Sequence, residues 1–303
     1  DASGMFPIDP ATGDYDAKMV TKYDSLVEGR LPATLTELLP EVLAAGESAG
    51  ALTAEGAALL DSSGALAPGI PFCPPEGDAG TGMVATNSVS PRTGNVSAGT
   101  SIFAMVVLER PLAKVHHELD VVTTPAGDPV AMVHCNNGAS ELAAWAGMFA
   151  RFAEASGTPL AADAVYEVLG NFARAQLYAV FGTLSLGMRV LRGEHVTVDT
   201  MYAHGGMFRT AGVAQRFLAA AIEAPVAVAE TASEGGAWGI AVLASYLNEA
   251  DDLALDAYLA ERVFATTAFE TVAPDPDDLV GYATYLTRYE AGLAIEHAAI
   301  AAL

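Results

Sequence analysis

Asp78 is the residue whose setting could do chemistry. It stands in Glu76-Gly77-Asp78-Ala79-Gly80-Thr81-Gly82, an acid set among small residues. Further on the chain reads Gly99-Thr100-Ser101, followed by the apolar run Ile102-Phe103-Ala104-Met105-Val106-Val107-Leu108. That run has the character of a buried strand. A small-residue turn between two strands leaves backbone N–H groups free, and Thr100 and Ser101 add hydroxyls. The combination suits phosphate oxygens. An acid upstream of it could activate a hydroxyl that attacks the phosphate. The plainer alternative for the same residues is a tight β-hairpin beside a glycine-rich surface loop.

The elements that must position these residues follow from pattern. Before Asp78 the chain is helical and turn-like. Thr53 caps a short helix through Leu60, and Pro68–Phe72 resembles a short strand feeding an Asp78 loop. After the Gly-Thr-Ser turn, Leu119–Thr123 and Val130–Val133 read as strands around the turn Pro125-Ala126-Gly127-Asp128-Pro129. With Ile102–Leu108 they make an antiparallel core. From Ala139 the period becomes helical, and Leu142, Trp145, Phe149 and Phe152 are expected as a buried stripe. A helix is expected over Ala161–Ala179. A βαβ-like run then follows. It consists of a strand at Thr197–Tyr202 ending in His204-Gly205-Gly206, a helix from near Thr210 with Val213, Phe217 and Ala221 inward, and a strand at Val226–Val228. A small-residue helix opens at Ser233–Ala241. Asp275–Leu303 reads as one long helix with Tyr282, Tyr285 and Tyr289 on a common face. The plan is mixed α/β rather than a Rossmann order.

Bulk properties bound the function. The 303 residues suffice for one large domain or two ordinary ones, and 52% hydrophobic against 17% charged residues excludes general disorder. A formal net charge of -23 argues against nucleic acid or an anionic membrane surface as a partner. An anionic ligand must therefore be captured locally, by backbone amides or a metal. No uninterrupted apolar run is long enough for a membrane span, and no signal peptide is read. The chain opens at Asp1 without a methionine, which hints at a processed protein or a fragment. Cys73 and Cys135 lie far apart in no metal-like spacing and are expected as reduced, buried thiols of a cytoplasmic protein.

Taken together, these stretches resemble the FGGY carbohydrate kinase family. The marks in the family's order are Gly46 through Gly50-Ala51-Leu52-Thr53, then Gly77-Asp78, Gly99-Thr100-Ser101, Gly205-Gly206, the helix start Glu234–Ala241, and Pro274…Tyr282…Tyr285…Tyr289. The resemblance implies an α/β fold of the ribonuclease H-like (actin-like ATPase) kind, a mixed sheet flanked by helices. Residues 1–88 would be the tail of an N-terminal sugar-binding domain and residues 89–303 the C-terminal nucleotide-binding domain. The implied reaction is ATP-dependent phosphorylation of a sugar hydroxyl, with ATP and Mg2+ as cofactors and a ketopentose such as xylulose or ribulose as acceptor. By the same resemblance Asp78 is the catalytic base and touches the sugar. Gly99, Thr100 and Ser101 form a phosphate loop, Gly205 and Gly206 with Arg209 form the adenosine-side turn, and Gly235, Ala237 and Gly239 form the helix start around the nucleotide. No residue is assigned to a metal.

Two departures stand out. Nothing matches the family's opening Asp-x-Gly-Thr strand, and the glycine pattern is altered around Gly182–Gly187. The expectation is a C-terminal piece of such a kinase, inactive on sugar alone but retaining weak ATP or ADP binding. A homodimer is left open. The alternatives are a kinase for glycerol or a deoxyhexulose, or a non-catalytic actin-like nucleotide-binding module. Among plainer readings, His116-His117 is taken as a solvated loop, His134-Cys135-Asn136-Asn137 as a polar strand end, and the three tyrosines as packing. Asp275, Asp277 and Asp278 are taken as helix-capping acids.

Overall fold

The computed structural model describes residues 2–99, 101–136, 138–161, 164–165, 178–209, 212–229 and 235–302. Its centre is a seven-stranded mixed sheet. The strands are β1 (Thr93–Ala98), β2 (Ile102–Val107), β3 (Asp120–Thr123), β4 (Pro129–Cys135), β5 (Thr200–His204), β6 (Val226–Ala229) and β7 (Phe269–Val272). They lie in the order β3-β4-β2-β1-β5-β6-β7. β1, β2, β4 and β3 pair antiparallel, while β1, β5 and β6 run parallel. β7 closes the far edge antiparallel to β6. The expected antiparallel core and the βαβ-like run are both present.

Helices cover both faces. They are α1 (Asp78–Ala85), α3 (Gly182–Gly193), α4 (Val213–Ile222), α5 (Gly235–Tyr246) and α6 (Pro276–Ala301), while α2 (Ala139–Ala155) belongs to neither face's core. One sheet face presents Val96, Ala104, Val133 and Met201 to Leu184 and Leu191 of α3, Leu218 and Ile222 of α4, and Tyr282 and Leu286 of α6. The other presents Met105, Val107 and Val130 to Met83 and Val84 of α1 and Val242 and Leu243 of α5. Each valine, leucine, isoleucine or methionine among them stabilises the fold by about 1.5–3 kcal/mol when fully buried. The chain is thus a helix–sheet–helix sandwich. Gln215 on α4 ties its far edge together, donating from Nε2 to the carbonyls of Val226 and Glu270, each at 2.8 Å.

Local chemistry explains the ends of several elements. Asp275 caps α6, its Oδ1 accepting from the amides of Asp277 (2.9 Å) and Asp278 (3.2 Å), and Pro276 occupies the first turn. Arg216 of α4 then pairs with Asp278, joining the two helices. The tyrosine face packs as expected, with Tyr282 at 2% exposure and its ring 5.1 Å from that of Tyr178. Thr53 caps the helix Ala54–Leu60 through the Gly56 amide. The chain before α1 is sparse in structure and is tied to the sheet by the Thr123 amide on Ser3 Oγ (3.1 Å) and the Ala45 amide on the Pro125 carbonyl (2.7 Å).

Four expectations are corrected. The segment at Asp78 is not a glycine-rich loop but helix α1, and Gly80 through Ala85 are buried in it. Small side chains there let it press against α5. Pro68–Phe72 forms no strand, only the single bridge Ala51–Pro71. The expected buried stripe of α2 is mostly open: Phe149 and Phe152 are 46% and 70% exposed, with Trp145 stacked on Phe149. The helical period fixed which residues share a face. It did not fix that Ala146, packed with Val165, would be the covered side. Val213 of α4 is likewise 42% exposed, while Ala221 is buried and Phe217 packs against the core as expected, beside Ala214, Leu218 and Ile222. The helix expected over 161–179 lies almost wholly outside the described residues. Strand β7 had no counterpart in the sequence reading.

Candidate functional site

Parallel strands align their C-terminal ends, and the open edge they form is where loops can converge on a ligand. Ser97 of β1 registers with His204 of β5, and Tyr202 of β5 with Ala227 of β6. The loops that follow are therefore neighbours. They are the turn after Ala98 and the turn Gly205-Gly206, while residues 230–234 between β6 and α5 lie outside the described residues. Helix α1 begins at the same edge, with Asp78 exposed in its first turn. Asp78, Gly99, Ser101, Gly205, Gly206 and Gly235 are thereby brought to one rim. Thr100 lies outside the described residues, as does Glu234.

Gly205 shows why that rim needs glycine. Its φ is +108°, a region L side chains rarely adopt, and a Cβ there would stand 2.4 Å from the Ala98 carbonyl oxygen. The chain can leave β5 and pass over the end of β1 only without a side chain. Gly206 then opens the short 3-10 turn Gly206–Arg209 with free space around it.

The first phosphate-loop expectation changes in one respect. The Gly99 amide is not free: it donates to the Ser101 carbonyl at 3.0 Å, closing the β1–β2 hairpin. Hairpin closure has taken that donor. Gly239 also departs from the expected cluster. It is buried one turn inside α5, where a Cβ would meet the Thr81 carbonyl oxygen at 2.0 Å. Its place is the α1–α5 contact, whereas Gly235, Gly236 and Ala237 remain at the rim.

Beneath the rim sits a polar pair that the sequence reading did not single out. His204, 8% exposed, ends β5, and Asn95, fully buried, lies on β1. Asn95 Nδ2 and His204 Nε2 are 3.4 Å apart. Asn95 Oδ1 finds no partner among the described residues. Leaving such an oxygen unpaired costs about 1–3 kcal/mol. Burial pushes the imidazole below its ordinary pKa, and the charge of Asp78 draws it part of the way back. The signal for the pair was an asparagine and a histidine inside otherwise apolar or small-residue strands. Elsewhere, His116 is not solvated. Its Nε2 lies 2.6 Å from Glu194 Oε1, with side chains 13% and 8% exposed. Among the described residues no cluster of three or more His, Cys, Asp or Glu converges, and no helix is long and apolar enough to cross a membrane.

Residues 153–247 match the C-terminal domain of the FGGY family of carbohydrate kinases. The resemblance to those kinases is borne out. The FGGY-like chain also superposes on the xylulose kinase of Rhodospirillum rubrum with a TM-score of 0.71 at 20% identity, covering 96% of this chain and 62% of that one. A Brucella ovis structure titled a xyloylose kinase gives 0.71 at 18% identity, over 94% and 62% of the two chains. Plasmodium falciparum glycerol kinase with ADP gives 0.65 at 12%, over 96% and 60%. The FGGY-like chain thus spans about three fifths of the length of these structures, and they share its fold. No curated protein sequence matches it.

Proposed function

We propose that the chain carries the nucleotide side and the catalytic acid of an ATP-dependent sugar kinase. The observation that carries this reading is the convergence of Asp78, the Gly99 turn, Gly205-Gly206 and the start of α5 on one edge of the parallel strands. The β4-β2-β1-β5-β6 order within the sheet supports a ribonuclease H-like domain, with residues 89–303 as its body and residues 1–88 as the tail of a sugar-binding domain.

Phosphoryl transfer passes through a loose transition state, so the protein's task is to position groups and neutralise charge. Asp78, exposed at the first turn of α1, takes the proton of the attacking sugar hydroxyl. We assign the hydroxyls of Thr100 and Ser101 to the phosphates, and the first amides of α5 add donors where the helix dipole favours anions. Gly205 and Gly206, with Arg209 after them, line the adenosine side. Mg2+ would come bound to the nucleotide's phosphates and would supply charge neutralisation there, a mode that needs few protein ligands. Likeness to the two pentulose-kinase structures favours a ketopentose, xylulose or ribulose, as acceptor. Likeness to glycerol kinase favours a smaller polyol as the second reading.

Calorimetric titration with Mg-ADP tests the site. Binding by the parent that weakens in both Thr100→Val and Gly206→Leu is the expected result. A Cβ at position 206 would meet nothing within 4 Å, so the substitution starts into open space. Equal affinity in both variants would remove the nucleotide from these turns.

A further inference from the structure

We propose that His204 is a positioning residue of this site, a neutral imidazole that holds the start of α1, with Asp78, in fixed relation to the start of α5. The inference deepens the kinase reading and rests on it for the roles of Asp78 and the α5 start.

The geometry is that of a socket built for one ring. A Cβ at Gly82 of α1 would stand 3.0 Å from His204 Nε2, and a Cβ at Gly235 of α5 would stand 3.1 Å from Nδ1. Two glycines, on two helices, thus clear the two edges of a single imidazole. From below, Asn95 Nδ2 reaches Nε2 at 3.4 Å. With that amide donating, the ring proton sits on Nδ1, the nitrogen that faces the α5 start. A leucine or phenylalanine would fill space here but would leave Asn95 without its one side-chain hydrogen bond among the described residues. Retaining a polar pair at this depth is hard to account for by packing, since an apolar pair of the same shape would carry no unpaired oxygen.

Charge explains why the pair is histidine and asparagine rather than a cation and its partner. Among the described residues, the charge that acts on the ring is that of Asp78. Burial keeps the imidazole uncharged near neutral pH, so Asp78 meets a dipole and stays available as a base. A lysine in the socket would pair with Asp78 and lower its basicity. His204 touches neither sugar nor nucleotide in this scheme and acts through the two helix starts.

Histidine-selective 15N NMR of the chain tests the linkage without turnover. The expected spectrum has one ring of the six histidines in the Nδ1–H tautomer, titrating below the ordinary histidine value. In Asp78→Asn that titration moves to still lower pH, because a negative charge that favoured the protonated ring is gone. An Nε2–H tautomer, or a titration that Asp78→Asn leaves in place, overturns the proposal. Mg-ADP calorimetry supplies the functional arm. His204→Ala is expected to weaken binding by about fivefold to tenfold, the scale of one lost hydrogen bond, and His204→Gln to restore most of it. His204→Ala binding as the parent does would overturn the positioning role and leave the nucleotide site standing. A parent chain that binds no Mg-ADP would instead sink the nucleotide reading and the α5 half of this proposal. The NMR result would still decide the coupling of His204 to Asp78.

Discussion

One methyl group at Gly239 should separate the packing of α1 and α5 from every other source of stability. A Cβ there would lie 2.0 Å from the Thr81 carbonyl oxygen and 2.7 Å from its carbon. Both are backbone atoms, so no side chain can turn away, and the helices must part by about 1.4 Å to reach ordinary contact. Met83, Val84, Val242 and Leu243, all nearly or fully buried, line that same layer and would loosen together. Overpacking of this kind costs about 1–3 kcal/mol, and a backbone obstacle belongs at the upper end. Alanine in place of glycine inside a helix returns about 1 kcal/mol. The net expectation for Gly239→Ala is a loss of about 2 kcal/mol, or about 3 °C in the thermal midpoint. Gly147→Ala in α2 is the control, because a Cβ there meets nothing within 4 Å. It should leave the midpoint unchanged or raise it. Thermal unfolding followed by circular dichroism reads both. A Gly239→Ala midpoint at or above that of the parent would refute the close approach of the two helices.

Two further expectations concern groups away from the rim. Cys135 is 3% exposed and burial pushes its thiol up to about 12, while the half-buried Cys73 is raised less. A thiol reagent at pH 8 should therefore label Cys73 slowly and Cys135 only after denaturant is added. Labelling of both in the native chain would contradict the burial. Glu194 is held below the ordinary carboxylate range, first by the hydrogen bond with His116 and then by the Ala113 amide at 2.9 Å. A depressed carboxylate stabilises the fold above its unfolded pKa, and the gain is lost as pH falls through the folded value. The urea midpoint of Glu194→Gln should lie below that of the parent at pH 7, with the gap closing as pH falls below the carboxylate range. A gap that persists at low pH would point to a role other than charge.

Much of the architecture was legible because local chemistry and tertiary role agreed. Asp275-Pro276-Asp277-Asp278 announces a helix start wherever it is placed, and Asp275 does cap α6. The runs read as strands at Ile102–Leu108 and Val130–Val133 do form antiparallel strands, although they pair with each other and leave Asp120–Thr123 at the edge rather than between them. The Gly205-Gly206 turn followed from residue type, since the backbone conformation there admits little else. Strand β7, with only four residues, gave too short a pattern to stand apart from a loop. It exists through its pairing with Val226–Ala229 and the hold of Gln215.

The sequence by itself determined the α/β alternation, the small-residue turns and the acid at position 78, because each depends on propensity and on residues adjacent in the chain. Tertiary structure alone decided that Asp78 opens a buried helix. Gly80, Thr81 and Gly82 are poor helix formers, and the contact with Gly239, more than one hundred and fifty residues away, supplies what propensity lacks. It also decided that Phe149 and Phe152 stand in the open, that the Gly99 amide closes its own hairpin, and that Asn95 and His204 meet beneath the rim. Those outcomes depend on which surfaces compete for burial and on strand register. Both are set by contacts between distant parts of the chain that no local pattern encodes.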